Sequence, residues 1–235
     1  MARRFMLKQS QLAEGIASLR FTSLAITSPN NWFLEWTHDY KFINHHATET
    51  PGYKNMKKPK LLLHTCCAPC VTVPLERLQH DYEVSCFFYN PNIHLKDEYL
   101  KRLNEVIRLT KELELKIVIP EYDVARWFEL VKGLEDEPEG GERCAVCFEM
   151  RLQETAKYAK KHKFESFTTT LTISPHKNAA LINQIGTEIS EQNQIPFLEA
   201  NFKKQDGFRR SIELSKKYNL YRQKYCGCIF SRGVK

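Results

Sequence analysis

The chain has 235 residues, a formal net charge of +7 from 35 Lys+Arg against 28 Asp+Glu, and a hydrophobic fraction of 42%. That suits one large domain with a short appendage and excludes disordered and collagenous classes; no apolar run approaches the ~20 residues of a membrane helix. Eight cysteines are far too sparse for a small disulfide scaffold and many for a globular enzyme of this size.

Residues 1–57 mix polar and aromatic side chains without a sustained period. The basic start, residues 1–8, is followed by Gln, Glu and Arg rather than an apolar stretch, so it does not read as a secretory signal, and a cytoplasmic location is expected. Residues 9–20 fit a short amphipathic helix, and His38, His45 and His46 read as surface histidines. A Thr-Pro-Gly turn at 50–52 and a Lys-rich linker at 54–60 close an N-terminal extension of unknown role, ahead of one domain at 58–235.

From Pro59 the pattern is regular. Residues 61–64 predict a first strand that ends at Cys66-Cys67-Ala68-Pro69-Cys70. Residues 71–80 predict a helix with Pro74 in its first turn, and 84–89 a second strand holding Cys86 as a buried small hydrophobe. Residues 97–113 predict a helix with Leu100, Leu103, Ile107 and Leu109 on one side. A strand at 116–119 precedes a helix at 123–132 with Trp127, Phe128 and Val131 inward. An acidic loop, 135–142, leads to Cys144-x-x-Cys147 and a long helix at 148–162. A Thr-rich strand at 167–171, a helix at 179–189, a last strand at 197–200 and a helix at 207–218 follow. Strands alternating with helices imply parallel βαβ units in a doubly wound α/β sheet, with ligands beyond the carboxyl ends of the strands, where Cys66, Cys67, Asn90 and Thr172 emerge.

In a cytosolic protein, grouped thiols are metal ligands or redox groups more often than bridges. Cys144-x-x-Cys147 before a helix, with Arg143 beside it, favours thiolates, and Cys66-Cys67 can supply two further sulfurs, giving a [4Fe–4S] or a zinc site. Adjacent cysteines are an unusual zinc pair, which leans toward the cluster. In Cys226-Gly227-Cys228 a disulfide would close a small strained ring, and strained disulfides are reducible, so a redox role fits. Residues 201–235 carry ten bases against two acids, interleaved with aromatics, as a surface for phosphates and unpaired bases would. The sequence contains no GxGxxG, P-loop, GxSxG or HExxH.

These residues together resemble the QueH-type, cobalamin-independent epoxyqueuosine reductases. The resemblance is carried by Leu61-Leu62-Leu63-His64-Thr65-Cys66-Cys67-Ala68-Pro69, by Tyr89-Asn90-Pro91-Asn92-Ile93-His94, by Glu98-Tyr99 with Arg102, and by Arg143-Cys144 through Cys147, Met150, Arg151 and Leu152. Residues 167–177, Asn201-Phe202-Lys203-Lys204, residues 207–211, Tyr221-Arg222-Gln223 and Tyr225-Cys226-Gly227-Cys228 complete it, over about 58–232. The resemblance implies a Rossmann-like fold of the adenine-nucleotide α-hydrolase type. It implies reduction of epoxyqueuosine to queuosine at the tRNA wobble position, a two-electron, two-proton deoxygenation ending queuosine formation. It also implies a [4Fe–4S] cluster on Cys66, Cys67, Cys144 and Cys147, and a redox-active pair at Cys226 and Cys228. The partners would be tRNA carrying epoxyqueuosine and an electron donor yet to be identified, with no membrane.

Where many members carry Asp after the Ala-Pro, in a region associated with an additional metal, this chain has Cys70, a candidate ligand for an additional iron. Lys203, Lys204, Arg209 and Arg210 are candidate tRNA contacts, and His64 and Tyr89 candidate proton donors. The competing readings are a zinc-stabilised RNA-binding module without redox activity, which does not need Cys226-Gly227-Cys228, and a tRNA sulfur-transfer enzyme, which would carry a glycine-rich ATP signature where Cys66 to Cys70 stand.

Overall fold

The computed structural model describes residues 57–231. The N-terminal extension, with its expected helix at 9–20 and its histidines, and residues 232–235 lie outside the described residues.

Three leucines start the sheet. Leu61, Leu62 and Leu63 are all fully buried, as a strand covered on both faces requires. They form β1 (Lys60–His64), which pairs in parallel with β2 (Glu83–Phe87) and β4 (Ser166–Thr169), while β2 pairs with β3 (Lys116–Val118). The order is β3-β2-β1-β4. The chain therefore reverses its direction of travel between β1 and β4, the switch point at which Rossmann-like sheets leave a crevice.

The pleat separates two cores. Leu61 and Leu63 face a cluster built from α1 (Ala68–Leu78), α2 (Lys96–Glu112) and α6 (Gly207–Lys217). Leu62 faces the cluster of α3 (Val124–Leu130), α4 (Glu142–Lys161) and α5 (Ala179–Asn193). Helices thus cover both faces, the doubly wound arrangement expected. Cys86 is fully buried in the first cluster, where burial raises its thiol to about 11.

Several expected elements differ. The helix expected at 71–80 starts three residues earlier, with Pro69 in its first turn and Pro74 inside it. On α2 the inward face is Tyr99, Arg102, Val106 and Leu109, while Leu100 and Ile107 are exposed. Phe128 is likewise exposed, although Trp127 and Val131 are buried. Residues 197–200 form no strand: one parallel bridge joins Phe197 to Phe167. The Thr-rich strand stops at Thr169, whose side chain accepts from Leu171 N–H and turns the backbone into a 3-10 turn, Thr170–Ile173.

Candidate functional site

The cysteines gather at the carboxyl end of β1. Cys67 is the N-cap of α1 in extended conformation, and Cys70 stands three positions later. Positions i and i+3 share a helix face, so their sulfurs meet: Cys67 Sγ lies 2.9 Å from Cys70 Sγ and 3.8 Å from Cys66 Sγ. The three thiols lie within 4.8 Å of one another, a metal-ligand spacing. Of the three, Cys66 is the one whose thiolate is favoured. Donation from Cys67 and Cys70, then the Arg151 charge and Thr170, holds its thiol well below the usual value. Burial pushes Cys67 up to about 12, while donation to Cys66 pushes Cys70 up.

Cys144 and Cys147 sit within the first two turns of α4, which begins at Glu142, rather than on a loop before it. Arg151 continues their stripe one turn on. Arg143 favours the Cys144 thiolate through its charge, as expected, while donating to the Leu134 and Glu135 carbonyls, at 2.9 and 2.8 Å, and packing over Phe230. Burial raises the Cys144 thiol, and raises Cys147 to about 11. The sequence reading missed this desolvation.

Each sulfur of the expected cluster set has a donor aimed at it. Thr170 Oγ1 donates to Cys66 at 3.4 Å, Gln223 Nε2 to Cys67 at 2.9 Å, and Gly140 N–H to Cys144 at 3.2 Å. Arg151 Nη1 reaches Cys147 at 4.0 Å. Such donors stabilise thiolate ligands and tune cluster potentials. The donor set is soft, largely buried and fed by hydrogen bonds, the chemistry an iron–sulfur cluster calls for; among the described residues the group within 4.8 Å is Cys66, Cys67 and Cys70, with Cys144 and Cys147 outside it.

Arg151 also ties the strand ends together. It is 2% exposed. Its Nη2 donates to Asn90 Oδ1 at 2.6 Å, and its Nε donates to His64 Nε2 at 3.3 Å. The Tyr89 carbonyl lies 3.3 Å from the same nitrogen, and His64 Nδ1 lies 2.9 Å from Thr169 Oγ1, so the ring's tautomer selects which of these contacts it donates to. Burial, then Arg151, lowers His64 to about 3, so it is neutral.

A cavity of about 480 Å³ opens beside these thiols, walled by Cys66, Cys70 and Cys226 and by the cations Arg102, Arg151 and Lys177. Cys144, Cys147, Cys226 and Cys228 line a second cavity of about 30 Å³. Cys226 and Lys177 belong to both walls. Cys228 is buried, whereas Cys226 is partly open. Lys177 precedes Asn178, whose side chain caps α5 by accepting from Ala180 and Leu181 N–H. Burial acts to lower the Lys177 ammonium, but the thiols of Cys226, Cys66 and Cys70 outweigh it and raise it.

Neither expected proton donor lines the larger cavity. His64 spends both ring nitrogens on buried partners, and Tyr89, pushed up to about 12 by burial, packs in the apolar cluster beneath the sheet. The expected tRNA contacts divide. Lys203 Nζ donates to the Lys177 carbonyl at 2.6 Å, holding that loop. Arg209 pairs with Asp206, and Arg210 with Glu76 and Glu213. Lys204 forms no ion pair among the described residues. Arg102, Lys177, Arg222 and Gln223 converge on the cavity from distant segments, which spacing alone does not reveal.

A family model described as Epoxyqueuosine reductase QueH matches residues 61–233. The Epoxyqueuosine reductase QueH of Staphylococcus epidermidis is 42% identical over 183 residues, covering 74% of this chain and 77% of its own. That of Haemophilus influenzae is 44% identical over 174 residues, 73% of this chain and 71% of its own. Among solved structures, the U34-tRNA thiolase NcsA from Methanococcus maripaludis with its [4Fe-4S] cluster aligns over 72% of this chain and 59% of its own, at 9% identity and a TM-score of 0.43.

Proposed function

The chain belongs to the epoxyqueuosine reductase QueH family, and from that premise we propose that it reduces epoxyqueuosine in tRNA to queuosine, using Cys226 and Cys228 as the electron-pair donor beside a [4Fe–4S] cluster. The observation that carries this is Cys226, a partly open thiol in the wall common to the two cavities, lining the larger one together with Cys66 and Cys70 of the grouped sulfurs.

The reaction balances on the pair. Two thiols become one disulfide and release two electrons and two protons. The epoxide loses both C–O bonds, its carbons form the double bond, and the oxygen leaves as water. Cys66, Cys67, Cys144 and Cys147 would hold the cluster, whose chemistry when bound is one-electron transfer and Lewis acidity toward an oxygen. Lys177 supplies the fixed positive charge facing the oxygen as it becomes anionic, a role in which a preoriented cation in a partly dry site is effective. Arg222 and Lys224 at the cavity wall, with Lys204 in the same basic stretch of sequence, fit the phosphates of an unpaired anticodon. A tRNA substrate puts the enzyme in the cytoplasm. No helix of the described residues is long and apolar enough to cross a membrane. Cys70, in contact with Cys67, is available as a ligand of an additional iron.

Anaerobic purification with iron and sulfide analysis tests the cluster, with about four of each per chain expected. A colourless protein holding only zinc would overturn it in favour of a zinc-stabilised RNA-binding module. Turnover of epoxyqueuosine-tRNA under reductant, lost in Cys226→Ser and in Cys228→Ser, tests the pair.

A further inference from the structure

We propose that Arg102 is a positioning residue for the redox pair, clamping the Cys226-Gly227-Cys228 backbone so that Cys226 stays in the wall between the two cavities. The proposal rests on the reading of Cys226 and Cys228 as that pair.

Arg102 lies on the inward face of α2 and is 2% exposed. Three of its five N–H groups are committed. Nε donates to Glu98 Oε1 at 2.7 Å, one turn back on the same helix. Nη1 donates to the Cys226 carbonyl at 2.8 Å, and Nη2 to the Tyr225 carbonyl at 3.2 Å. Glu98 is itself held by the Tyr221 hydroxyl, which donates to Oε2 at 3.3 Å. The guanidinium thus meets two successive carbonyls as a planar fork, while Glu98 compensates its buried charge. A lysine offers a compact ammonium in place of this planar fork and cannot hold the two carbonyls and Glu98 in the same fixed geometry.

The next carbonyls are also fixed. Gly227 O accepts from His94 N–H at 2.8 Å, and Cys228 O from Ser231 N–H at 3.1 Å. Every carbonyl from Tyr225 to Cys228 therefore has a donor. Gly227 sits at φ +108, and a Cβ there would lie 2.9 Å from Arg102 Nη1 and 3.1 Å from Ile93. The sequence needs glycine at this place both for its backbone angle and because the clamp closes against it. These contacts leave only side chains to move when two S–H bonds are exchanged for one S–S bond. Two thiols held on a fixed backbone have a high effective concentration toward each other.

The test is the dithiol–disulfide equilibrium of the holoenzyme in a buffer of reduced and oxidised dithiothreitol, with turnover on epoxyqueuosine-tRNA. Arg102→Lys should shift the equilibrium toward the dithiol by about tenfold, roughly 30 mV for a two-electron couple. It should lower kcat by about a hundredfold, as a misplaced reactive group does, with KM for tRNA within about twofold. Gly227→Ala strikes the same clamp from the other side and should do the same. If both variants fold yet keep the wild-type equilibrium and kcat, the clamp is overturned. It is equally overturned if KM rises while the equilibrium stays put, since Arg102 would then act on the tRNA. If the wild type forms no Cys226–Cys228 disulfide in oxidising buffer, the redox pair itself falls, and the clamp with it.

Discussion

Arg151→Met asks whether the buried guanidinium at the strand ends holds the site together. The substitution keeps chain length and apolar volume but removes the donors to Asn90 Oδ1 and His64 Nε2. Asn90 and His64 are 1% and 0% exposed, so neither acceptor can turn to water. Each charge-assisted hydrogen bond contributes about 1.5–3 kcal/mol, and each stranded acceptor costs the desolvation it can no longer offset. Against this, methionine recovers the cost of burying a guanidinium, which no carboxylate pairs among the described residues. The loss wins by about 2 kcal/mol, because Asn90 Oδ1 is orphaned while the His64 ring can switch tautomer and donate from Nε2 to the Tyr89 carbonyl 3.3 Å away, and one buried charge is relieved. For a domain of this size that is roughly 4–8 °C in Tm. Anaerobic guanidinium unfolding of the metal-free protein, with Arg151→Lys as an intermediate case, reads it directly. A methionine variant as stable as wild type, at unchanged m-value, would show that guanidinium desolvation dominates and refute the reasoning.

Stability should fall as pH drops from about 6.5 toward 4. Burial holds folded His94 at about 4 against 6.5 unfolded, so in that window only the unfolded chain takes the proton. His94 contributes at most about 1.4 kcal/mol per pH unit to the slope, and His64, held at about 3, a like amount in the same window that the His94 substitution leaves in place. Denaturant midpoints for wild type and His94→Phe should diverge between pH 7 and 5, and parallel curves would refute the assignment. Gly186→Ala gains up to about 1 kcal/mol of helix propensity, but its Cβ would lie 2.3 Å from the Phe197 ring, so a net loss of about 1–3 kcal/mol is expected from urea unfolding. Lys224→Ala should weaken tRNA binding and reduce the slope of log K against log salt by about 1. Arg210→Ala, whose charge is already met by Glu76 and Glu213, should change that slope much less, and equal effects would return the α6 face to the interface.

The alternation of the chain made the sheet legible, because three consecutive leucines bounded by polar residues have few other uses. Where the sequence reading slipped, local composition imitated something else. Residues 197–200 carry strand-like residues, yet Phe197 packs its ring against Gly186 and pairs through one bridge only. Cys144 and Cys147 read as a loop because an acidic run precedes them, although Gly141 starts the helix ahead of both. The thiols were legible by type and spacing. Their neighbours were not, since Arg151 meets His64 across 87 positions, Arg102 meets Cys226 across 124 and Gln223 meets Cys67 across 156. Those contacts exist only after the sheet has brought its carboxyl ends together. Lys203 shows the converse, a lysine in a basic run that serves a neighbouring carbonyl.

Cys86 lies at 0% exposure on β2, a strand that carries none of the site's thiols. A sealed thiol of this kind gives the molecule an internal clock. In a native sample treated with an alkylating agent, mass added at Cys86 counts global openings, while mass added at Cys226 counts the accessibility of the working wall. The same digest therefore separates loss of the fold from loss of the site, and any substitution discussed above can be scored on both axes at once.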